Sequence, residues 1–353
     1  MKVLLAPLDW GLGHATRCIP LITSMLEKGW HVTVAGEGQS LALLKEEFPE
    51  LEFLHLKGYR VSYPRSRTWF TLWMVAQTPK LAWVIAQEQR WLKRLMKQRT
   101  FDLIISDNRY GLYHSTVPSV ILTHQLRIYT GWGTLADQVV NAFTNRYIRR
   151  FQQCWIPDAE QGLGIAGRLS HPEQLPSNAR YIGPLSRLHP VALPSSDQIV
   201  ITLSGPEPQR SLLEERIIAQ ARELPYRFLI VRGLPQKDVL LPPQSRIRFI
   251  NHLNANELAR EIATSQMVIC RSGYSSVMDL IRMGKKAVLI PTPGQTEQEL
   301  IAQHVSQKGW FLTQEQSAFN LSTAITDCLS STCAPPYLNY ADYQQVLDEF
   351  STQ

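Results

Sequence analysis

The sequence predicts an α/β protein built from two doubly wound parallel sheets, and three observations carry that expectation. Short β-branched or leucine-rich runs alternate with helical periodicity almost from end to end, the pattern of parallel strands covered on both faces. The length of 353 residues suits two domains of ~100–200 residues. A stretch rich in Pro and Ser, residues 181–196, has no sustained period and reads as a linker near the middle. With 44% hydrophobic and 19% charged residues, the composition is globular and excludes collagen-like, coiled-coil and disordered chains.

In the first half the expected strands are 2–8, 31–37, 51–56, 101–107 and 118–124, with helices between them. In the second half they are 198–204, 227–232, 247–250, 267–271 and 287–291. The expected domains are 1–190, an acceptor-side Rossmann-like unit, and 191–333, a nucleotide-binding one. Residues 334–353 carry Tyr337, Leu338, Tyr340, Tyr343, Val346, Leu347 and Phe350 at spacings of an amphipathic helix, which is expected to pack back on the body. Open sheets of this kind bind ligands beyond the carboxyl ends of their strands, so two facing edges would form a cleft.

The net charge of +6 permits anionic partners without selecting one. Five cysteines, an odd count without a CxxC pair, indicate neither a disulfide framework nor a zinc site. The N-terminal apolar run is too short and wrongly flanked for a cleaved signal, and no ~18-residue apolar stretch is present. A cytoplasmic chain is expected.

The first strand runs into Asp9-Trp-Gly-Leu-Gly-His-Ala-Thr-Arg17. Gly11 and Gly13 let the backbone approach a ligand at a helix N-terminus. A dinucleotide fingerprint would want a third glycine where Thr16 stands, although Glu37 occupies the place of its ribose-binding acid. His14 at this turn suits proton abstraction from a hydroxyl, or it is a structural histidine of the turn. Asp107, at the end of its strand, is either a second candidate base or a strand-end cap.

In the second half, Leu203-Ser-Gly-Pro-Glu-Pro-Gln-Arg210 offers Ser204 and the Gly205 amide to phosphate oxygens, with Arg210 as countercharge; a plain Pro-rich loop is the other reading. The strongest constellation is Cys270-Arg-Ser-Gly-Tyr-Ser-Ser-Val-Met-Asp279. It leaves a strand, turns at Ser272-Gly273 and enters a helix on which Ser275 and Asp279 share a face. Amides at the helix start suit a diphosphate, and a carboxylate one turn in suits the hydroxyls of the attached ribose. Gln298 and Glu299, in the first turn after Pro293-Gly294, suit sugar hydroxyls or merely favour the helix dipole. Phe249 and Ile250 offer a wall for a base, or belong to the core.

These runs resemble the nucleotide-sugar site of GT-B glycosyltransferases. More narrowly, they resemble the branch containing the bacterial peptidoglycan N-acetylglucosaminyltransferase, which acts on a lipid-linked acceptor. The resemblance implies two Rossmann-like domains facing across a cleft, with a final helix returning to the first. It assigns ribose binding to Asp279, the base wall to Phe249 and Ile250, and donor-sugar contact to Gln298 and Glu299. Beside it, the reading of the residues themselves expects Arg271, Ser272, Gly273, Tyr274 and Ser275 at the donor, with the backbone amides of this turn on the diphosphate. Two positions depart from the family: Ser204-Gly205-Pro206 replaces a richer glycine loop, and Glu299 stands where a second glutamine is usual. The implied reaction is an inverting, metal-independent transfer of a hexose or N-acetylhexosamine from a UDP-sugar to a hydroxyl, with no cofactor besides the donor. No Asp-x-Asp pair is present to hold a divalent ion on a diphosphate. A 2-epimerase of the same fold would carry a Ser-Gly-Gly run followed by Gln-Glu-Glu, which Arg271-Ser-Gly-Tyr-Ser-Ser does not match. A catalytically idle nucleotide-sugar sensor would bind donor and transfer nothing.

Residues 59–99 interleave Trp69, Phe70, Trp73, Met74, Trp83 and Trp91 with Arg60, Arg65, Arg67, Lys80, Arg90, Lys93, Arg94, Lys97 and Arg99. Such mixing suits an anionic bilayer face or a lipid-phosphate acceptor, and equally a helix whose aromatics pack on their own domain. Peripheral contact with the inner face of the plasma membrane is the corresponding expectation. No RNA-binding signature appears, so no nucleic-acid partner is expected.

Overall fold

The computed structural model describes residues 1–59, 78–235, 241–244 and 246–351. Two compact units emerge: Met1–Leu185 with Asn339–Gln353, and Ser186–Leu338. The chain therefore crosses between Leu185 and Ser186, ahead of residue 190, and returns at Asn339.

The first unit holds β1 (Lys2–Pro7), α1 (Leu12–Glu27), β2 (His31–Gly36), α2 (Gly38–Glu47), β3 (Glu52–His55), α3 (Thr78–Leu95), β4 (Leu103–Asp107), β5 (Ser119–Leu122), α4 (Thr134–Ile148), β6 (Gln153–Ile156) and β7 (Ala179–Tyr181). Its sheet is parallel throughout, in the order β3-β2-β1-β4-β5-β6-β7. The last two strands are additions to the sequence reading. Gln153-Cys-Trp-Ile156 and Ala179-Arg-Tyr181 are too short for a period-2 pattern to stand out.

The second unit holds β8 (Gln198–Thr202), α5 (Gln209–Ala221), β9 (Arg227–Val231), β10 (Ile247–Ile250), α6 (Ala255–Thr264), β11 (Met267–Cys270), α7 (Tyr274–Met283), β12 (Ala287–Leu289), α8 (Thr296–Gln307), β13 (Leu312–Thr313) and α9 (Leu321–Ser330). Its order is β10-β9-β8-β11-β12-β13, again parallel. Both orders reverse beside the unit's first strand, between β1 and β4 and between β8 and β11, and such switch points are where open sheets place ligands.

The core of each unit is the apolar fill between strands and helices. In the first, Ala15, Cys18, Ile22 and Met25 of α1 meet Val3, Leu5, Val34 and Ile105. The final helix, α10 (Asp342–Ser351), belongs to this unit: Tyr343, Val346, Leu347 and Phe350 are buried in that cluster, and Phe350 meets Trp155 edge-on at 5.9 Å. Its polar face is held by Arg180, which grips Glu349 with both terminal nitrogens.

Candidate active site

In the first unit the site grows from the β1–α1 turn. Gly11 caps α1 at φ +84°, a left-handed conformation that a Cβ would strain, although open space surrounds it. The helix that follows presents His14 and Arg17, three residues apart and therefore on one face. Asp107 ends β4 beside them, paired in register with Pro7 of β1.

Asp107 is wholly buried. Arg17 Nε donates to its Oδ2 at 3.0 Å, and Nη2 closes a second bond to Oδ1. His14 Nδ1 lies 3.2 Å from both carboxylate oxygens and 3.0 Å from Arg17 Nη2. The third guanidinium nitrogen, Nη1, donates to Nδ1 of buried His124 at 2.9 Å. Burial pushes the Asp107 carboxyl up, but the charges of Arg17 and then His14 outweigh it and hold it down at about 2. Cys18 lies 3.7 Å from the same carboxylate, and burial followed by that charge keeps its thiol protonated. His14 itself keeps 14% of its side chain exposed, so it is the member of the cluster with a route to solvent.

A second buried network braces the floor of this turn. Arg109 donates to Glu88 Oε1 at 2.9 Å and to the carbonyls of Pro7 and Lys57, and Tyr59 donates to Glu88 Oε2 at 3.0 Å. It ties α3 to the end of β1.

In the second unit three loops converge beyond β8, β11 and β12. A Cβ on Gly205, at φ +102°, would lie 3.3 Å from Thr292 Oγ1 and 3.9 Å from Arg271 Nε. Both of those polar atoms are buried and have no hydrogen-bond partner among the described residues. Ser272 Oγ donates to the Gln298 carbonyl at 2.9 Å, fastening the α7 turn to α8. Gly273, Ser275 and Ser276 remain partly exposed at the start of α7, and Gly205 is exposed opposite Thr292.

Several residues expected to touch a ligand are committed to the scaffold instead. Arg210 is buried, and Glu207 (2.7 Å) and Glu214 (3.1 Å) take up its guanidinium, because α5 brings Glu214 one turn along the same face. Arg232 closes that network on Glu214 Oε1 at 2.6 Å. Arg271 gives its terminal nitrogens to the carbonyls of Ile290, Pro291 and Gln209, and burial lowers its pKa to about 10. Phe249 and Tyr274 are core residues, whereas Ile250 is half-exposed. Gln298 accepts from Thr292 N–H at 2.9 Å and donates to Gln295, and Glu299 accepts from Gly294 N–H at 3.1 Å, so both brace the β12–α8 turn.

Asp279 stands one turn into α7, half-buried. Ser186 donates to its Oδ1 at 2.5 Å, and the Arg187 backbone N–H also bonds it. Burial raises its pKa to about 6, against the lowering influence of Arg187, Ser186 and Arg282.

Of the aromatic-basic stretch, Arg60, Arg65, Arg67, Trp69, Phe70, Trp73 and Met74 lie outside the described residues. Lys80 and the later members fall on or just after α3, where Trp83 is exposed with Lys57 over its ring at 5.5 Å. Among the described residues no helix is long and apolar enough to cross a membrane, and no three His, Cys, Asp or Glu side chains gather to hold a metal ion.

Two parallel Rossmann-like units in this strand order are the GT-B architecture, and the chain is a glycosyltransferase. Residues 247–345 match the glycosyltransferase family 28 C-terminal domain. An uncharacterized glycosyltransferase of Methanosarcina acetivorans is 21% identical over 337 residues, 88% of this chain and 84% of that one. The UDP-N-acetylglucosamine–N-acetylmuramyl-(pentapeptide) pyrophosphoryl-undecaprenol N-acetylglucosamine transferase of Methylorubrum extorquens is 32% identical over 87 residues, only 24% of each chain. Among solved structures, MurG of Acinetobacter baumannii superposes with a TM-score of 0.55 at 14% identity, over 100% of this chain and 99% of that one. The spinosyn rhamnosyltransferase SpnG does so at 0.64 and 17%, over 100% and 95%. The chain is thus similar to the MurG-like branch.

Proposed function

We propose that the chain transfers a hexose or N-acetylhexosamine from a UDP-sugar to a hydroxyl, with inversion and without a metal ion. The observation carrying this is the start of α7: partly exposed Gly273, Ser275 and Ser276 at a helix N-terminus, with Asp279 one turn on, all inside the segment that matches the family 28 domain. The N–H groups and partial positive charge of a helix N-terminus favour a diphosphate. The Gly205 loop brings a further backbone approach, and Arg271 Nε and Thr292 Oγ1 are buried polar atoms left for a ligand or ordered water to satisfy. Asp279 accepts the ribose hydroxyls.

On the acceptor side, His14 removes the hydroxyl proton as the new glycosidic bond forms at the anomeric carbon and the bond to the diphosphate breaks. Asp107 is a poor base at a pKa of about 2 and instead orients the imidazole. A lipid-linked acceptor is the reading favoured by the partial likeness to the undecaprenol-linked transferase and by the aromatic-basic stretch, with peripheral membrane contact through residues 59–99.

Asp279→Ala is expected to weaken UDP binding by at least tenfold in calorimetry while leaving the fold intact. Unchanged affinity would remove the donor-site assignment. Release of free UDP together with a glycosylated product distinguishes transfer from epimerisation and from an idle sensor. Because helix N-termini rather than a cation stabilise the leaving diphosphate, transfer is expected to proceed at full rate in EDTA. A loss restored by Mg2+ would contradict that.

A further inference from the structure

We propose that Ser186 is a positioning residue for nucleotide recognition: its hydroxyl fixes the Asp279 carboxylate in the orientation and the ionised state that accept a ribose diol. The proposal rests on the donor-site reading of Asp279 and adds to it a residue outside the segment that matches the family 28 domain.

Ser186 is the first residue of the second unit and is 3% exposed. Its Oγ accepts from Leu188 N–H at 3.1 Å, which closes a tight turn and fixes the hydroxyl's direction. The O–H is thereby directed at Asp279 Oδ1, 2.5 Å away, and the Arg187 N–H of the same turn reaches the same carboxylate. Three residues on, His189 Nδ1 lies 3.0 Å from Arg282 Nη2, so 186 and 189 clasp 279 and 282 on one face of α7. An ionised carboxylate offers about four lone-pair directions. The turn occupies two and leaves two, the number a cis-diol needs.

Electrostatics point the same way. The ionisable groups around the carboxyl are Arg187 from the turn, Arg282 from α7 itself and the Cys270 thiol from β11. Burial works against ionisation, and the Ser186 hydrogen bond is among the contacts opposing it. A protonated carboxyl would surrender acceptor capacity, so nucleotide affinity should fall as the pH drops through about 6.

The test is UDP binding by calorimetry from pH 5 to 8, with TDP alongside, on the full chain and on Ser186→Ala, Ser186→Thr and Asp279→Ala. Ser186→Ala is expected to bind about three- to tenfold more weakly at pH 7, with the pH midpoint of binding moved upward. Ser186→Thr, which keeps the hydroxyl, is expected to restore both. Thermal unfolding of each variant identifies any that fail to fold, in which case the threonine variant's midpoint decides: an unmoved midpoint supports the role, and a shifted one opposes it. A Ser186→Ala loss equal at every pH marks a merely structural hydroxyl and overturns the proposal, as does no loss. If Asp279→Ala also binds normally, the donor-site reading fails as well; if Asp279→Ala alone loses binding, that reading stands and only the role of Ser186 falls.

Discussion

Replacing His14 with alanine is expected to slow transfer by roughly 10²–10⁴-fold, the usual contribution of a positioned general base, while UDP affinity stays within a factor of two or so of the parent. The ring's two nitrogens are not equivalent here. Nδ1 faces the buried side, within 3.2 Å of Asp107 and 3.0 Å of Arg17. A guanidinium has no lone pair to give, so an Nδ1–H proton can be accepted only by the carboxylate. That tautomer leaves Nε2 basic for a substrate hydroxyl, and the developing imidazolium is then stabilised by Asp107. Asp107→Asn removes that stabilisation while keeping the shape, so a smaller loss of transfer rate is expected. Should His14→Ala retain more than about a tenth of the parental rate under saturating donor and acceptor, the assignment of His14 as base fails.

The contrast between the two candidate bases shows where sequence reading stops. His14 was legible as a polar residue of the turn after the first strand and Asp107 as the end of its own strand, because strand ends can be located from apolar runs. Their ranking was not. It depends on Arg17, whose position three residues after His14 puts it on the same helix face, yet whose burial against Asp107 follows from the β1–β4 pairing that brings Pro7 beside Asp107. The i,i+3 spacing was the available signal. His124, two residues past the end of β5, joins by the same long-range route.

The second unit shows the same division. Strands β8 to β12 were legible as apolar runs, and α7 as a helix entered through a Ser-Gly turn, since these are local patterns. The Arg210 expectation was local too, and there it misled: a basic residue after a phosphate-like loop looks available until the positions of Glu207 and of buried Glu214 and Arg232 are known. A guanidinium so neutralised stiffens the loop rather than meeting a ligand. Gln298 and Glu299 likewise spend their side chains on the turn that carries them. Thr292 went unremarked because a single threonine after a strand carries no pattern; only the approach of Gly205 and Arg271 gives it meaning.

Arg17→Met is expected to cost about 3–5 kcal/mol of unfolding free energy at pH 7, because it leaves the fully buried Asp107 without its cation. The methionine keeps most of the volume, so the loss is electrostatic rather than a cavity. With its carboxyl lowered from 3.8 to about 2, Asp107 binds fewer protons folded than unfolded between those values. Its contribution, on the order of 2 kcal/mol, is therefore present above about pH 4 and lost as pH falls through about 2. Removing Arg17 lifts that carboxyl, so the gap between variant and parent should narrow as the pH is lowered toward 2. Adding Asp107→Asn to Arg17→Met removes the stranded charge, and the double variant is expected to recover most of the stability though not the transfer activity. Urea unfolding of the four chains at pH 7 and near pH 3 measures both effects. A single variant within about 1 kcal/mol of the parent, the size of a solvent-exposed ion pair, would mean that the Arg17–Asp107 pair is not the buried anchor on which the orientation of His14 depends.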